Sequence, residues 1–438
     1  MIGSFDTSLR KVTIIGAGVA GLLAARRLDE LGFEVILLES SARAGGLITT
    51  HETPCGMVEA AAHSFLASPA VQAHFSSVGV DLIAVNPESR SRYVFRDGRL
   101  KKFPLTIRET VRAISRAYLI LADRDQEPGD LTLEEWTRRH LGEPALDYLI
   151  SPLLTGVYAA LPSEIAVGAA FPRFAIPPGH SLLSYWLARN LTRRSRYGGR
   201  RPRSRMMAPR DGMGAWVRAL EKDLERRLGQ RFRKNMRVST LPDDGNILLC
   251  VPSAAAAELL GTGNHGVSAK ALARVEYAPL VSVTAFVEKS GFPREPSGVG
   301  VLIPKREGRD ALGILFNSSA FPGRVANPAL HASFTMMLGG SARPDLIRLD
   351  DEEIKRRVNQ ELKAVLGARS GASHFTISRW ERAIPKYSRE LLQTWSVLRS
   401  DWCLKPGRAI FGNYTGQVSL RGMIETVSGW DFKPTAAV

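Results

Sequence analysis

Residues 13–28 read TIIGAGVAGLLAARRL, with glycines at 16, 18 and 21 between a β-branched run and an amphipathic helical pattern. This spacing predicts a strand, a tight turn and a helix, and FEVILLE (33–39) follows as a second strand, so the chain opens with a βαβ unit. Gly16 permits the turn, Gly18 lets a backbone approach a pyrophosphate, and Gly21 lets the helix pack close to the strand. The helix N-terminus then offers N–H groups and a positive dipole end to phosphates. Glu39 closes the second strand eighteen residues after Gly21, where a carboxylate can hold both ribose hydroxyls of a dinucleotide.

The rest of the composition sets limits. At 438 residues and 44% apolar, the chain exceeds one small core and predicts two or three domains. Cys55, Cys250 and Cys403 lie far apart without a pairing motif, which points to buried small hydrophobes in a reducing compartment. No export signal and no apolar run of membrane-spanning length is present, so a cytoplasmic location is expected. The 59 Lys and Arg against 43 Asp and Glu give +16, which favours an anionic partner. Residues 189–210 hold nine arginines and no acid, and read either as a solvated loop or as an anion-binding arm. With only Tyr197 among them, they lack the stacking residues of a single-strand binder, and no nucleic acid is expected. No metal-ligand cluster stands out.

Helical periodicity dominates from about residue 104 to 191 and returns in GMGAWVRALEKDLERRLG (212–229). Strand-like runs follow: NILLCVP, LVSVTAFVE, GVGVLIP, LGILFNSS and ASFTMMLGG. The end, AIFGNYTGQVSLRGMIETV (409–427), reads as strand, turn and helix.

Directly after Glu39, the stretch ESSARAGGLITT places Arg43 and the doublet Gly45–Gly46. The ordered set resembles the flavoprotein superfamily of amine oxidases, phytoene desaturases and protoporphyrinogen oxidases, which implies FAD rather than NAD. Ala61 and Ala62 stand where that superfamily commonly has glycine and proline. Nearly the whole chain is similar to the oxygen-dependent protoporphyrinogen oxidase family, including its coproporphyrinogen-oxidising branch. The similarity runs through SRYVFRDGRLKKFP (91–104), SPLLTGVYAALPSEIAVGAAFP (151–172), DGMGAWVRAL (211–220), GVGVLIPKREGRDALGILFNSSAFPGR (298–324), MLGG (337–340), RWERAIPKY (379–387) and GNYTGQVSL (412–420).

The resemblance implies an α/β fold with three parts. Residues 1–85, 206–262 and 398–438 would form a Rossmann-like FAD-binding domain. Residues 86–103 and 263–397 would form a mixed-sheet substrate domain, and 104–205 a helical domain that either rests on the anionic inner face of a membrane or forms a soluble cap over the active site. Cofactor contacts fall on Gly16, Gly18, Gly21, Glu39, Arg43, Gly45, Gly46, Val238, Gly412 and Val418. Arg92 falls where the family binds a propionate, a task that suits a guanidinium fork. Leu302, Leu315 and Met337 fall where relatives sandwich the macrocycle, Met337 replacing a more usual aromatic. Further departures are Ala160–Leu161 for glycine-aspartate, Ala166 for serine, Gln417 for glycine, Met423 for cysteine, and a shortened 241–252.

The implied reaction oxidises protoporphyrinogen IX or coproporphyrinogen III in haem biosynthesis, by hydride transfer to the flavin N5, with oxygen as acceptor and peroxide as by-product. No side chain is assigned as general base. The competing readings are a flavin desaturase or amine oxidase of secondary metabolism, and a non-catalytic basic flavoprotein scaffold. The scaffold has no physical need for the glycine turn, Glu39 and the doublet together.

Overall fold

A computed structural model describes residues 1–121, 131–172 and 205–434. The rest of the 104–205 helical stretch, and the arginine-rich run as far as residue 204, lie outside the described residues.

The opening βαβ unit forms as its sequence predicts: strand Lys11–Ile15, helix Val19–Glu30, strand Glu34–Leu38. These strands lie inside a six-stranded sheet ordered Ile2–Ser4, Arg408–Ile410, Asn246–Leu249, Lys11–Ile15, Glu34–Leu38, Phe232–Arg233. All neighbours are parallel except the Ile2–Ser4 edge, which runs antiparallel to Arg408–Ile410. A parallel sheet needs cover on both faces, which explains the continuous Val, Ile and Leu in these strands. Leu22 and Leu28 of the first helix pack with Val12, Ile14, Val35 and Leu37, and helix Met213–Leu228 adds Trp216, Leu220 and Leu224 to the same core.

A second, seven-stranded sheet is ordered His374–Pro385, Tyr277–Glu288, His331–Gly339, Ala311–Phe316, Gly300–Leu302, Arg92–Arg96, Arg99–Lys101. It is antiparallel apart from the parallel pair Gly300–Leu302 and Arg92–Arg96. Side chains alternate between its faces. Val281, Val283, Phe334 and Met336 bury one face against Ile354, Val358 and Leu362 of helix Asp351–Leu366. The other face holds small, polar and half-buried residues.

Helices Ile107–Leu121, Leu133–His140 and Ser151–Tyr158 dock beside this sheet. The Arg96 guanidinium reaches Glu109 at 2.8 Å and lies 4.1 Å over the Tyr148 ring, while Arg306 pairs with Asp147 at 2.9 Å. The hydrogen bonds from Arg96 hold the Glu109 carboxyl down at about 2. Ile107, Val111, Ile114 and Tyr118 are 84%, 58%, 63% and 74% exposed, so the described part of the first of these helices turns an apolar stripe outward. Among the described residues, no helix is long and apolar enough to cross a membrane.

The sequence reading passes over the edge strand Ile2–Ser4, strand His374–Pro385 and helices Asp351–Leu366 and Arg389–Ser400. Of the three cysteines, Cys250 and Cys403 are buried as expected, whereas Cys55 is only half-buried; all three are free thiols.

Helix Pro69–Ser77 carries His74, whose Nε2 accepts the Trp216 Nε1–H at 3.1 Å. Burial, with the Arg26 charge nearby, pushes this imidazole down to about 4. It stays neutral in the fold while the unfolded chain protonates below its ordinary value, so stability falls as pH drops from about 6.5 towards 4. The limiting slope is about 1.4 kcal/mol per pH unit for this group. Urea unfolding at pH 7.5 and 5 is expected to show a smaller pH dependence for His74→Gln than for the unmodified protein.

Candidate cofactor and substrate site

The turn after the first parallel strand is shaped by its glycines. Gly16 has φ +99° and donates its N–H to the Leu38 carbonyl at 2.8 Å. A Cβ on Gly21 would lie 1.8 Å from the Gly16 carbonyl oxygen, so only glycine lets the helix approach this closely. The helix begins after Gly18 with no side-chain cap, and a Cβ on Gly18 would meet nothing within 4 Å. Its first N–H groups therefore carry no side-chain cap beside a cradle that a Cβ on Gly18 would not fill, the arrangement that binds phosphate.

Glu39 is fixed beside this cradle. Its Oε2 accepts the Ala17 N–H at 2.7 Å, and its Oε1 accepts the Ser41 N–H at 2.9 Å and hydroxyl at 2.8 Å. The Gly45 N–H donates to the Ala17 carbonyl at 2.8 Å, and Gly45 and Gly46 have φ of +101° and +59°. A Cβ on Gly45 would strike Val217 Cγ1 at 2.4 Å, and one on Gly46 would lie 3.3 Å from Gly18 Cα. The doublet therefore passes directly against the glycine turn. Arg43 is exposed and donates to the carbonyls of Ala44, Gly46 and Ile48, holding the doublet loop in shape and leaving a cation at the cradle's rim.

Val238 and Val418 are half-buried and pack against a different apolar cluster, together with Val251. Gly412 follows the last parallel strand, its N–H donated to Thr415 Oγ1 at 3.1 Å. Helix Leu420–Ser428 starts two residues after Val418, capped by Ser419 Oγ accepting the Gly422 N–H at 3.1 Å. The structure thus brings Gly16, Gly18, Gly21, Glu39, Arg43, Gly45 and Gly46 into one cradle, while Val238 and Val418 each pack at the edge of the second apolar cluster.

Strand register places the four predicted substrate residues on the open face of the seven-stranded sheet. One row runs Arg92, Gly300, Leu315, Thr335, Thr284, Thr376, and the next runs Val94, Leu302, Gly313, Met337, Ser282, Ser378. Leu302, Leu315 and Met337 are half-buried, while Arg92 is exposed at the end of its row and makes no ion pair among the described residues. Glycines at 300 and 313 remove a side chain from each of the two strands between Arg92 and Met337, leaving Leu302 and Leu315 there. Helix Ser151–Tyr158 closes over one side, a Cβ on Gly156 falling 2.7 Å from Leu302 Cδ2.

A narrow cleft of about 20 Å³ lies at the Leu315 end, lined also by Met57, Glu59, His63, Asn317 and Arg324. Residues 58–65 attract attention in the sequence only through Ala61–Ala62; a buried acid and a histidine beside them were the overlooked signal. Glu59 accepts the Met213 N–H at 2.8 Å and the Thr50 hydroxyl at 2.7 Å, and burial raises its carboxyl above the usual range. His63 Nε2 meets Thr335 Oγ1 at 3.1 Å, and burial pushes the imidazole down to about 4. Arg324 is buried and donates to the Pro209 and Arg210 carbonyls at 2.9 and 3.1 Å, and burial lowers its value.

The model of flavin-containing amine oxidoreductases matches residues 19–426. The chain belongs to this family. Its cofactor is FAD. The spinach chloroplast protoporphyrinogen oxidase 1 is 26% identical, over 94% of this chain and 82% of that protein. Among solved structures, a candidate protoporphyrinogen oxidase from Exiguobacterium sp. 255-15 superposes with a TM-score of 0.71 at 19% identity, covering 95% of this chain and 97% of the other. Cyclohexylamine oxidase from Brevibacterium oxydans gives 0.63 at 17% identity, covering 96% and 100%. At these identities the structural matches establish the shared fold.

The cradle fits this group on two counts: the helix start is uncapped, and the space beside Gly18 is filled by no protein atom. Two substitutions separate ligand contact from packing. Gly18→Ala is expected to leave the Tm of flavin-stripped protein within about 2 °C while weakening FAD retention at least tenfold, because only a ligand meets the added methyl. Gly21→Ala is expected to lower Tm and flavin content together. Thermal melts and the flavin absorbance of gel-filtered protein check both.

Proposed function

We propose that this protein oxidises a porphyrinogen, protoporphyrinogen IX or coproporphyrinogen III, with oxygen as the final acceptor, as a step of haem formation. The observation that carries this reading is the register of the sheet face, which sets the Arg92 guanidinium, without an ion pair among the described residues, beside Gly300, Leu302, Leu315, Gly313 and Met337. A porphyrinogen is a flexible apolar macrocycle with carboxylates at its rim, so it needs wide apolar walls and few cations. The protoporphyrinogen oxidases among the relatives support the same choice.

In this reading Arg92 takes a propionate in a charge-assisted, two-pronged contact and fixes the edge from which the ring enters. Leu315 and Leu302 lie in the strands between Arg92 and Met337, and together with Met337 hold the ring without polar contacts. FAD, when bound, supplies the two-electron acceptor, which oxygen regenerates with hydrogen peroxide as by-product. Gly16, Gly18, Gly21, Glu39, Arg43, Gly45 and Gly46 hold its nucleotide half, and Val238, Gly412 and Val418 contribute elsewhere along it. The chain's own contribution is orientation and exclusion of water. The domain division follows: 1–85, 206–262 and 398–438 for the cofactor, 86–103 and 263–397 for the substrate, and the helical 104–205.

Anaerobic mixing of the yellow protein with each porphyrinogen is expected to bleach the flavin, and admission of air to yield porphyrin fluorescence. Arg92→Leu is expected to lower kcat/KM by about 10- to 100-fold, mostly through KM, with Arg92→Lys recovering part of the loss. If the flavin is bound and neither porphyrinogen bleaches it, the reading fails.

The same reading places the helical part on an anionic membrane surface. The stripe Ile107, Val111, Ile114 and Tyr118 would enter the headgroup boundary, with exposed Arg108 and Arg112 beside it. Co-sedimentation with phosphatidylglycerol vesicles is expected, and Ile107→Asn with Ile114→Asn should abolish it without lowering Tm. Vesicle binding by the double variant equal to that of the unmodified protein would remove this helix from the interface.

A further inference from the structure

The carboxyl ends of the parallel strands line up along one edge of the cofactor sheet. Glu39, Gly16, Val251 and Gly412 follow the strands Glu34–Leu38, Lys11–Ile15, Asn246–Leu249 and Arg408–Ile410, which are neighbours in that order. Ligands of such sheets lie across this edge. A dinucleotide held at Glu39 and the glycine turn therefore runs on towards residues 412–418 with its ring end. Val251 joins the two regions: its Cγ1 would lie 2.9 Å from a Cβ on Gly16, and its carbonyl accepts the Tyr414 hydroxyl at 3.1 Å.

The 413–416 turn is held from behind by two side chains. Tyr387, which closes the RWERAIPKY stretch, donates its hydroxyl to the Asn413 carbonyl at 2.6 Å. Trp395, on helix Arg389–Ser400, donates Nε1–H to the Tyr414 carbonyl at 2.7 Å. Both rings are buried and meet edge to face, their centroids 6.0 Å apart. A phenol and an indole cost more to bury than plain hydrocarbon unless each polar atom finds a partner, and here the partners are successive carbonyls of one turn. Burial raises the Tyr387 phenol above its usual range, so it stays a donor at working pH, and the Gly416 amide hydrogen-bonds to the same oxygen. Gly416, at φ +94°, then turns the chain towards Gln417 and Val418. These two residues are half-buried, and among the described residues their amides donate to no protein group. On its other side the Tyr387 ring lies 5.2 Å from that of Tyr158, the last residue of helix Ser151–Tyr158.

We propose that Tyr387 and Trp395 are positioning residues for the flavin. By fixing the Asn413 and Tyr414 carbonyls inward, they set the Gln417 and Val418 amides where the ring's pyrimidine edge gathers negative charge on reduction. Those amides hold the reduced form more strongly than the oxidised one, so the two aromatic donors raise the potential of the bound cofactor. This rests on the reading that Gly412 and Val418 contact FAD, and deepens it by naming what shapes that contact.

The test reads the cofactor's midpoint potential rather than turnover. Tyr387→Phe keeps the ring and frees the Asn413 carbonyl; Trp395→Phe keeps an aromatic and frees the Tyr414 carbonyl. Each is expected to lose affinity for reduced FAD at least threefold more than for oxidised FAD. That ratio is a fall of about 14 mV or more in the two-electron potential, at about 30 mV per tenfold. Val358→Ala, in the core on the closed face of the seven-stranded sheet, is the control for destabilisation alone, expected to lower Tm with less than a threefold change in that ratio. A folded variant at Tyr387 or Trp395 with less than a threefold change removes that residue from the role, and where one variant fails to fold the other carries the test. An equal shift in Val358→Ala makes the effect one of stability and overturns the assignment. The placement is checked separately by hydrogen exchange of a peptide covering 412–420, expected to slow when FAD is added to flavin-stripped unmodified protein. No slowing in protein that binds FAD overturns the contact of Gly412 and Val418 with the cofactor, and the proposal with it.

Discussion

The contact between Gly21 and the Gly16 carbonyl is the constraint on which the site rests. A helix can pack this close to the end of its own strand only where no Cβ intervenes, and 1.8 Å leaves room for a hydrogen alone. The closeness fixes where the first helical N–H groups point, and these groups are left without a protein cap. The same turn delivers the Ala17 amide to Glu39 and the Ala17 carbonyl to Gly45. One backbone residue therefore sets both the Glu39 carboxylate and the glycine doublet relative to the helix. The local packing is complete, while the helix start carries no side-chain cap.

The second sheet solves a different problem with the same economy of backbone. One face is ordinary core, closed by Asp351–Leu366. The other is half-buried at Leu302, Leu315 and Met337 and covered at Thr284 and Thr335, where the 60–63 loop is anchored at two points, Ala60 to Trp380 and His63 to Thr335. The hydroxyls of Thr335 and Thr284 lie 2.8 Å apart, and the Asn317 amide donates to Thr335 at 2.8 Å, so the polar atoms beneath this loop are mutually satisfied. The 60–63 loop is thus held by side chains of the seven-stranded sheet.

Much of this was legible in the sequence, because the decisive features are local. Glycine spacing, a carboxylate at a strand end and a doublet a few residues later depend on neighbours along the chain, and the βαβ unit follows from periodicity alone. The edge strand Ile2–Ser4 was not legible: it is three residues long and exists only because Arg408–Ile410 lies beside it. Helix Asp351–Leu366 carries a clear amphipathic pattern and an Asp350 cap, and was overshadowed by the strands around it. The rows of the open face could not be read at all without register. Arg92 and Leu315 are neighbours in space through Gly300, and nothing in the sequence gives the pairing of Gly300 with both. Trp380 and His63 were invisible as partners of the loop for the same reason.

The order of strands in the cofactor sheet also bears on how the chain reaches its fold. Lys11–Ile15 and Glu34–Leu38 emerge first, but the strand that pairs with the other side of Lys11–Ile15 is Asn246–Leu249, more than two hundred residues later. At the usual pace of synthesis that interval lasts on the order of 10 to 45 seconds. Throughout it the glycine turn exists on a nascent sheet with a bare hydrophobic edge, and a Cβ-free Gly16 has not yet met Cys250, whose carbonyl will pack against it. The last parallel strand, Arg408–Ile410, then needs almost the entire chain. The Lys11–Ile15 edge therefore stays without its partner strand until more than half of the chain has been made, and that interval sets how long it is open to wrong pairing.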